Sequence, residues 1–120
     1  MPRVSIVEDD PIVARFLERA LRLEGYDVSS WSDGQAFLDV ADSTTFDLLI
    51  VDHDLPSCNG LEIVAQLARR TPVPAMMMLT GREQAGLEQQ VLEAGARGFR
   101  TKPVDLDDLF SLVASLVQPS

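Results

Sequence analysis

The chain has 120 residues, 46% of them hydrophobic, with a formal net charge of −9. That length and apolar content suit one domain with one real core. The negative charge argues against nucleic-acid binding by this domain, which would need clustered Lys and Arg. No apolar run approaches the roughly 20 residues that span a bilayer. The start, Met1 to Glu8, has a single base and turns acidic at once, unlike a secretory signal. One cysteine, Cys58, excludes an internal disulfide. Together these favour a soluble cytoplasmic protein.

Taken in order, Val4–Val7 is a β-type run that empties into Glu8-Asp9-Asp10. Pro11 favours a first helical turn, and Asp10 can cap it. The helix then places Val13, Phe16, Leu17, Ala20 and Leu21 at helical spacing, and Gly25 stops it. That accounts for Asp10 but not for Glu8 and Asp9. Two carboxylates about 4 Å apart repel by on the order of 4 kcal/mol, so the pair calls for a cation or an unusual pKa. Tyr26–Trp31 alternates as a second strand near an edge. Asp33 can cap a short helix with Ala36, Phe37, Val40 and Ala41 inward, and residues 42–45 form a loop.

Leu48-Leu49-Ile50-Val51 is a continuous apolar run, which marks a strand buried on both faces. It ends in Asp52, and the residues from Pro56 to Gly60 make a loop. A third helix is expected from Gly60 to Arg70, with Leu61, Val64, Leu67 and Ala68 on one face. Pro72 and Pro74 lead into a strand, Ala75–Thr80, whose three consecutive Met are adaptable core filler. Glu83–Gly95 reads as a helix with Leu87, Val91 and Ala94, and Arg97–Thr101 as a fifth strand. A last helix, capped by Asp105, presents Leu106, Leu109, Phe110, Val113 and Leu116.

Five strands alternating with five helices over short connections make βαβ units and a parallel sheet covered on both faces. The polar residues left without a structural role, Glu8, Asp9, Asp52, Thr80 and Lys102, all lie where strands end. A parallel sheet gathers those ends on one edge, where open α/β sheets bind ligands. Charge is concentrated the same way: residues 1–60 hold 12 acids against 4 bases, residues 61–120 hold 7 against 6. Nine of the ten basic residues are Arg; the single Lys is Lys102. A compact ammonium enters a tight site that a planar guanidinium does not.

Hard carboxylate oxygens select Mg²⁺ or a similar ion, which keeps room for phosphate oxygens. Thr80 and Lys102 are then donors for a phosphoryl group, and Asp52 a nucleophile that can form an aspartyl phosphate. No glycine-rich phosphate loop is present, so ATP is not the expected ligand. His53 points away from Asp52 if the strand continues, and reads as a surface or loop residue. Nothing around Cys58 activates it as a nucleophile.

Along essentially its whole length the chain resembles a bacterial response-regulator receiver domain. The carrying segments are Ile6-Val7-Glu8-Asp9-Asp10-Pro11, Leu49-Ile50-Val51-Asp52 with Leu55-Pro56 and Gly60, Leu79-Thr80, and Phe99-Arg100-Thr101-Lys102-Pro103. The resemblance implies a flavodoxin-like, doubly wound five-stranded parallel sheet of order 2-1-3-4-5 with five helices, forming one receiver domain over residues 1–120. It implies a phosphoryl group passed to Asp52 from a histidine kinase or a histidine phosphotransfer protein. Mg²⁺ would be held by Asp9 and Asp52 directly, by Glu8 through water, and by the backbone carbonyl of Asp54. Lys102 would pair with a phosphoryl oxygen, with a cis bond to Pro103. Thr80 and Phe99 would switch together, altering the surface of the fourth helix, fifth strand and fifth helix. That surface, with Leu87, Val91 and Leu92 expected to be exposed on it, would meet a partner, an output domain or a second copy. Phosphorylation suits such a switch, since it adds charge and acceptor oxygens beside a bistable contact.

Gly81 departs from the family's usual Ala, and Phe99 from its common Tyr. Asp54 and Arg82 occupy positions that tune loss of the phosphoryl group, and are expected to pair across the mouth of the site and slow attacking water. Asp52-His53-Asp54 also resembles the opening of haloacid dehalogenase-type phosphatases. That motif normally opens the first strand and lacks the preceding acidic pair, and a cap domain is absent here. A binding module that has lost phosphorylation is the other alternative, against which the intact acidic set stands.

Overall fold

The computed structural model describes residues 1–56, 58–81 and 84–117. The elements follow the expected alternation: β1 (Arg3–Val7), α1 (Pro11–Leu23), β2 (Asp27–Trp31), α2 (Gly34–Val40) with a 3-10 turn at Ala41–Ser43, β3 (Leu48–Asp52), α3 (Gly60–Leu67), β4 (Ala75–Thr80), α4 (Leu87–Ala94), β5 (Gly98–Thr101) and α5 (Leu106–Val117). The five strands form one parallel sheet in the order β2-β1-β3-β4-β5.

Strand alternation divides the core into two layers. Leu49, Val51, Met76 and Met78 face the layer beneath α2, α3 and α4, which includes Phe37, Ile63, Leu67 and Val91. Leu48, Ile50, Met77 and Leu79 face the layer beneath α1 and α5, with Leu17, Leu21, Leu109 and Val113. Every residue of β3 and β4 is buried, as the unbroken apolar runs require. Cutting Leu49 or Ile50 back to Ala costs about 2–5 kcal/mol, because a packed layer collapses only partly around a void.

The helix starts follow their caps. Asp10 Oδ1 accepts from the backbone N–H groups of Ile12 (2.9 Å) and Val13 (3.5 Å), with Pro11 opening α1. Asn59 caps α3 through the N–H of Glu62, and Asp105 caps α5 through those of Asp107 and Asp108.

Several boundaries and faces differ from expectation. The third helix stops at Leu67 rather than Arg70, where tight backbone turns lead to Thr71-Pro72 and an X-Pro step disfavours helix. The fourth begins at Leu87 rather than Glu83, because Gly86 adopts a left-handed φ of 81° just before it. Leu87 and Val91 are not exposed but buried in the core, and only Leu92 of the three reaches solvent. In α2, Ala36 and Val40 face out, since a two-turn helix buries only the narrow stripe at Gly34 and Phe37. Phe16, expected inside, is 45% exposed. Among the described residues, no helix is long and apolar enough to cross a membrane.

Candidate functional site

The site lies on the edge of the sheet where β1, β3, β4 and β5 end. Asp52 is the last residue of β3, in register with Leu79 of β4, and Thr80 is in register with Thr101 of β5. The edge is tied together by backbone bonds past the strand ends. The N–H of Glu8 donates to the carbonyl of Trp31 (3.0 Å), that of His53 to Leu79 (2.9 Å), and that of Lys102 to Thr80 (2.7 Å). Gly60 closes the loop after Asp52: its N–H donates to the His53 carbonyl (2.9 Å), and a side-chain Cβ there would fall on the Asp52 carbonyl oxygen. Only glycine lets the first turn of α3 sit against the strand that carries Asp52.

Side chains from three strand ends converge. Lys102 Nζ is 2.6 Å from Glu8 Oε1 and 3.3 Å from Asp52 Oδ1. Single carboxylate oxygens of Glu8, Asp9 and Asp52 all lie within 4.8 Å of one another. Glu8 and Asp52 are buried, at 2% and 5% exposure, whereas Asp9 is exposed. Glu8 Oε2 also accepts from the N–H of Asp10 at 3.1 Å, which braces the acidic turn.

Burial, and then the negative charge of Glu8, push the Asp52 carboxyl up to about 7, although Lys102 pulls the other way. Burial draws the Lys102 ammonium down, but its bond to Glu8 and the charge of Asp52 outweigh that and hold it above the ordinary lysine value. Three carboxylates against one ammonium leave an excess of negative charge in a partly dry place. An all-oxygen donor set of this kind fits a hard divalent cation such as Mg²⁺.

The remaining expected residues are placed as follows. Thr80 is buried at the end of β4, at 1% exposure. The Lys102–Pro103 peptide is cis, as is Thr71–Pro72. Asp54 is exposed two residues beyond Asp52, with Oδ1 3.2 Å from His53 Nδ1; His53 itself is half-buried. Phe99 is half-buried in β5, in register with Met78, and packs on the core layer beneath α4 rather than joining the carboxylate cluster. Arg82 lies outside the described residues, and with it the expected Asp54–Arg82 pair.

One surface was not anticipated. Ile12 and Phe16, 79% and 45% exposed, form a short apolar stripe on the outer face of α1 beside exposed Arg15, with exposed Arg19 beyond it and Leu23, 86% exposed, at the end of the helix. The upper end of the stripe opens into a cleft of about 440 Å³ bounded by Ile12, Phe16, Lys102, Pro103 and Val104. The signal was present in the sequence: α1 carries more large apolar residues than one buried face can hold.

Residues 4–114 match the profile of the response regulator receiver domain. The response regulator ArlR of Staphylococcus epidermidis is 36% identical over 118 residues, covering 98% of this chain and 53% of that protein. The chain thus spans about half the length of the curated relatives it matches. Among solved structures, a response regulator receiver protein from Burkholderia phymatum superposes with a TM-score of 0.86 at 31% identity, covering 98% and 95% of the two chains. Response regulator protein TrrA from Thermotoga maritima, in complex with Mg²⁺-BeF, gives 0.87 at 26%, covering 97% and 99%.

Proposed function

Because this chain belongs to the response regulator receiver domain family, we propose that Asp52 is the residue that takes the phosphoryl group. The domain is a signalling phosphoacceptor in a two-component system, receiving its phosphoryl group from a histidine kinase. The observation that carries the assignment is the contact set of Asp52: a buried carboxylate at a strand end, 3.3 Å from the Lys102 ammonium and beside Glu8.

The step is a group transfer. A carboxylate oxygen of Asp52 bonds to the phosphorus of a phosphohistidine as the N–P bond breaks. The electron pair of that bond returns to the imidazole nitrogen, leaving an acyl phosphate on Asp52. Lys102 pairs with one phosphoryl oxygen, and the Thr80 hydroxyl donates to another. Asp9, Asp52 and the Asp54 carbonyl would hold Mg²⁺ directly and Glu8 through water, and the ion would supply positive charge to offset that of the phosphoryl oxygens. Water then removes the group slowly, with Asp54 and Arg82 screening the mouth. Thr80 moving onto the phosphoryl group frees space for Phe99, which re-shapes the surface of α4, β5 and α5 for a partner, an output domain or a second copy. A histidine kinase or histidine phosphotransfer protein supplies the group in the cytoplasm, and the α1 stripe beside Pro103 gives such a protein an apolar landing surface.

Intact mass after incubation with acetyl phosphate and Mg²⁺ tests the assignment. One phosphoryl adduct is expected on the wild type, and none on Asp52→Ala or in EDTA. An unlabelled wild type would overturn it in favour of a binding module that works without phosphorylation. Repeated turnover of a small phosphomonoester would favour a phosphatase.

A further inference from the structure

Gly34, the first residue of α2, is buried. Its backbone does not demand a glycine, since Gly34 is not among the glycines of positive φ. What demands one is space. A Cβ placed on Gly34 would lie 2.6 Å from Cys58 Sγ, 2.9 Å from Ile63 Cδ1 and 3.3 Å from Leu55 Cδ1. All three are closer than the ordinary contact distance of about 3.5–4.0 Å.

The three neighbours differ in how they can yield. Ile63 Cδ1 and Leu55 Cδ1 are the ends of side chains with two torsions, and either methyl can swing aside. Cys58 Sγ is bonded directly to its Cβ. It withdraws only by turning a single torsion to another rotamer or by carrying the backbone with it. The closest approach is thus also the stiffest.

Cys58 and Leu55 belong to the loop between β3 and α3, and both pack on the core layer that holds Phe37 of α2 and Ile63 of α3. The loop is fixed at its roots. The N–H of His53 donates to the Leu79 carbonyl and that of Gly60 to the His53 carbonyl, each at 2.9 Å. Between those roots the loop meets α2 through Leu55 and Cys58, at Gly34. Asp54 is joined directly to Leu55, so where Leu55 and Cys58 seat decides where the Asp54 carbonyl stands. Mg²⁺ tolerates little misplacement of an oxygen ligand, because it demands near-ideal octahedral geometry at about 2.1 Å.

We propose that Gly34 is a positioning residue for the metal site: by presenting no side chain it lets the β3–α3 loop settle on α2 with the Asp54 carbonyl in reach of an ion held by Asp9 and Asp52. The proposal rests on the receiver reading, which makes that carbonyl a ligand. If Gly34 served only the packing of α2 on α3, Ile63 would be the neighbour that matters, and stability alone would suffer.

The test titrates Mg²⁺ by calorimetry into wild type and variants. Thermal melts in EDTA follow folding, and intact mass after acetyl phosphate follows the adduct. Gly34→Ala is expected to weaken Mg²⁺ binding about tenfold, the size of effect seen when groups that orient a metal ligand are disturbed. Labelling should slow by a similar factor at low Mg²⁺ and recover at saturating Mg²⁺. Removing the thiol makes room for the new methyl, so Gly34→Ala/Cys58→Ala should regain most of the lost affinity. Gly34→Ala/Ile63→Val, which makes room on the α3 side, should not. Leu55→Ala takes away a support instead of crowding it and should also weaken binding, and it decides the matter if Gly34→Ala does not fold. Wild-type affinity in Gly34→Ala or in Leu55→Ala overturns the proposal, as does recovery through Ile63→Val rather than Cys58→Ala. A wild type that takes neither Mg²⁺ nor adduct sinks the receiver reading and this proposal with it. A wild type that takes both, with variants that bind as tightly, sinks the proposal alone.

Discussion

Arg100 and Lys102 leave the same short strand region, and each holds a carboxylate oxygen at 2.6 Å, Asp108 for one and Glu8 for the other. The first pair is open to solvent, and its effect is the ordinary one: hydrogen bonding to Arg100 lowers the Asp108 carboxyl below its usual value. The second pair sits beside another buried carboxylate. There the nearby ammonium does not prevail, and Asp52 rises to about 7. Distance is therefore a poor guide to what an ion pair does. Burial and the surplus of like charge decide, and the same surplus that costs stability makes the place receptive to a cation and a phosphoryl group.

Removing each cation is the sharpest way to break this comparison. Lys102→Ala leaves Glu8 and Asp52 buried without a fixed counter-charge. It is expected to lower unfolding free energy in metal-free urea titrations near pH 8 by about 3 kcal/mol and to abolish most acetyl-phosphate labelling. A loss no larger than that of Arg100→Ala would end the contrast between the two pairs.

Asp52→Asn works in the opposite direction. It removes the adduct, and because the site disfavours the ionised carboxyl it should raise metal-free stability near pH 8 by about 1–2 kcal/mol.

The same imbalance titrates. A carboxyl near 7 in the folded chain, against its ordinary 3.8, binds its proton more tightly when folded. Metal-free stability should therefore rise as pH falls from about 8 through about 7 toward about 5, where the folded form is protonated and the unfolded form is not. The Lys102 shift plays no part in this window, since it lies above an already high value. Thermal melts of wild type beside Asp52→Asn check this; parallel slopes would mean that Asp52 is not the titrating group. Smallest of all is Arg100→Ala, whose Tm should be indistinguishable from that of the wild type, as befits a solvent-screened pair.

Much of this architecture is legible along the chain. Leu48–Val51 and Ala75–Leu79 can only be strands buried on both faces, and the placement of Asp52 and Thr80 at their ends follows from where those runs stop. What could not be read was which side of a helix meets the protein. Phe16 falls at the same helical spacing as Leu17 and Ala20, yet it looks outward, and Leu87 and Val91, expected on the surface, look inward. Nor does Glu8-Asp9-Asp10 reveal which acid enters the site. Glu8, its N–H still paired with Trp31, is buried against Lys102, while Asp9 stays exposed at the rim and brings one carboxylate oxygen to the same cluster.

By itself, then, the order of residues determined the strands, the helix caps and the set of polar groups carried to one edge, because hydrophobic period and capping are local properties of a few neighbouring residues. Only the tertiary structure decided that Glu8, Asp52 and Lys102 touch, that Asp52 sits near neutrality, and that the acids of α4 and α5 share one face with an occupied arginine. Those outcomes depend on desolvation and on charges brought together from distant parts of the chain, and no local pattern encodes them.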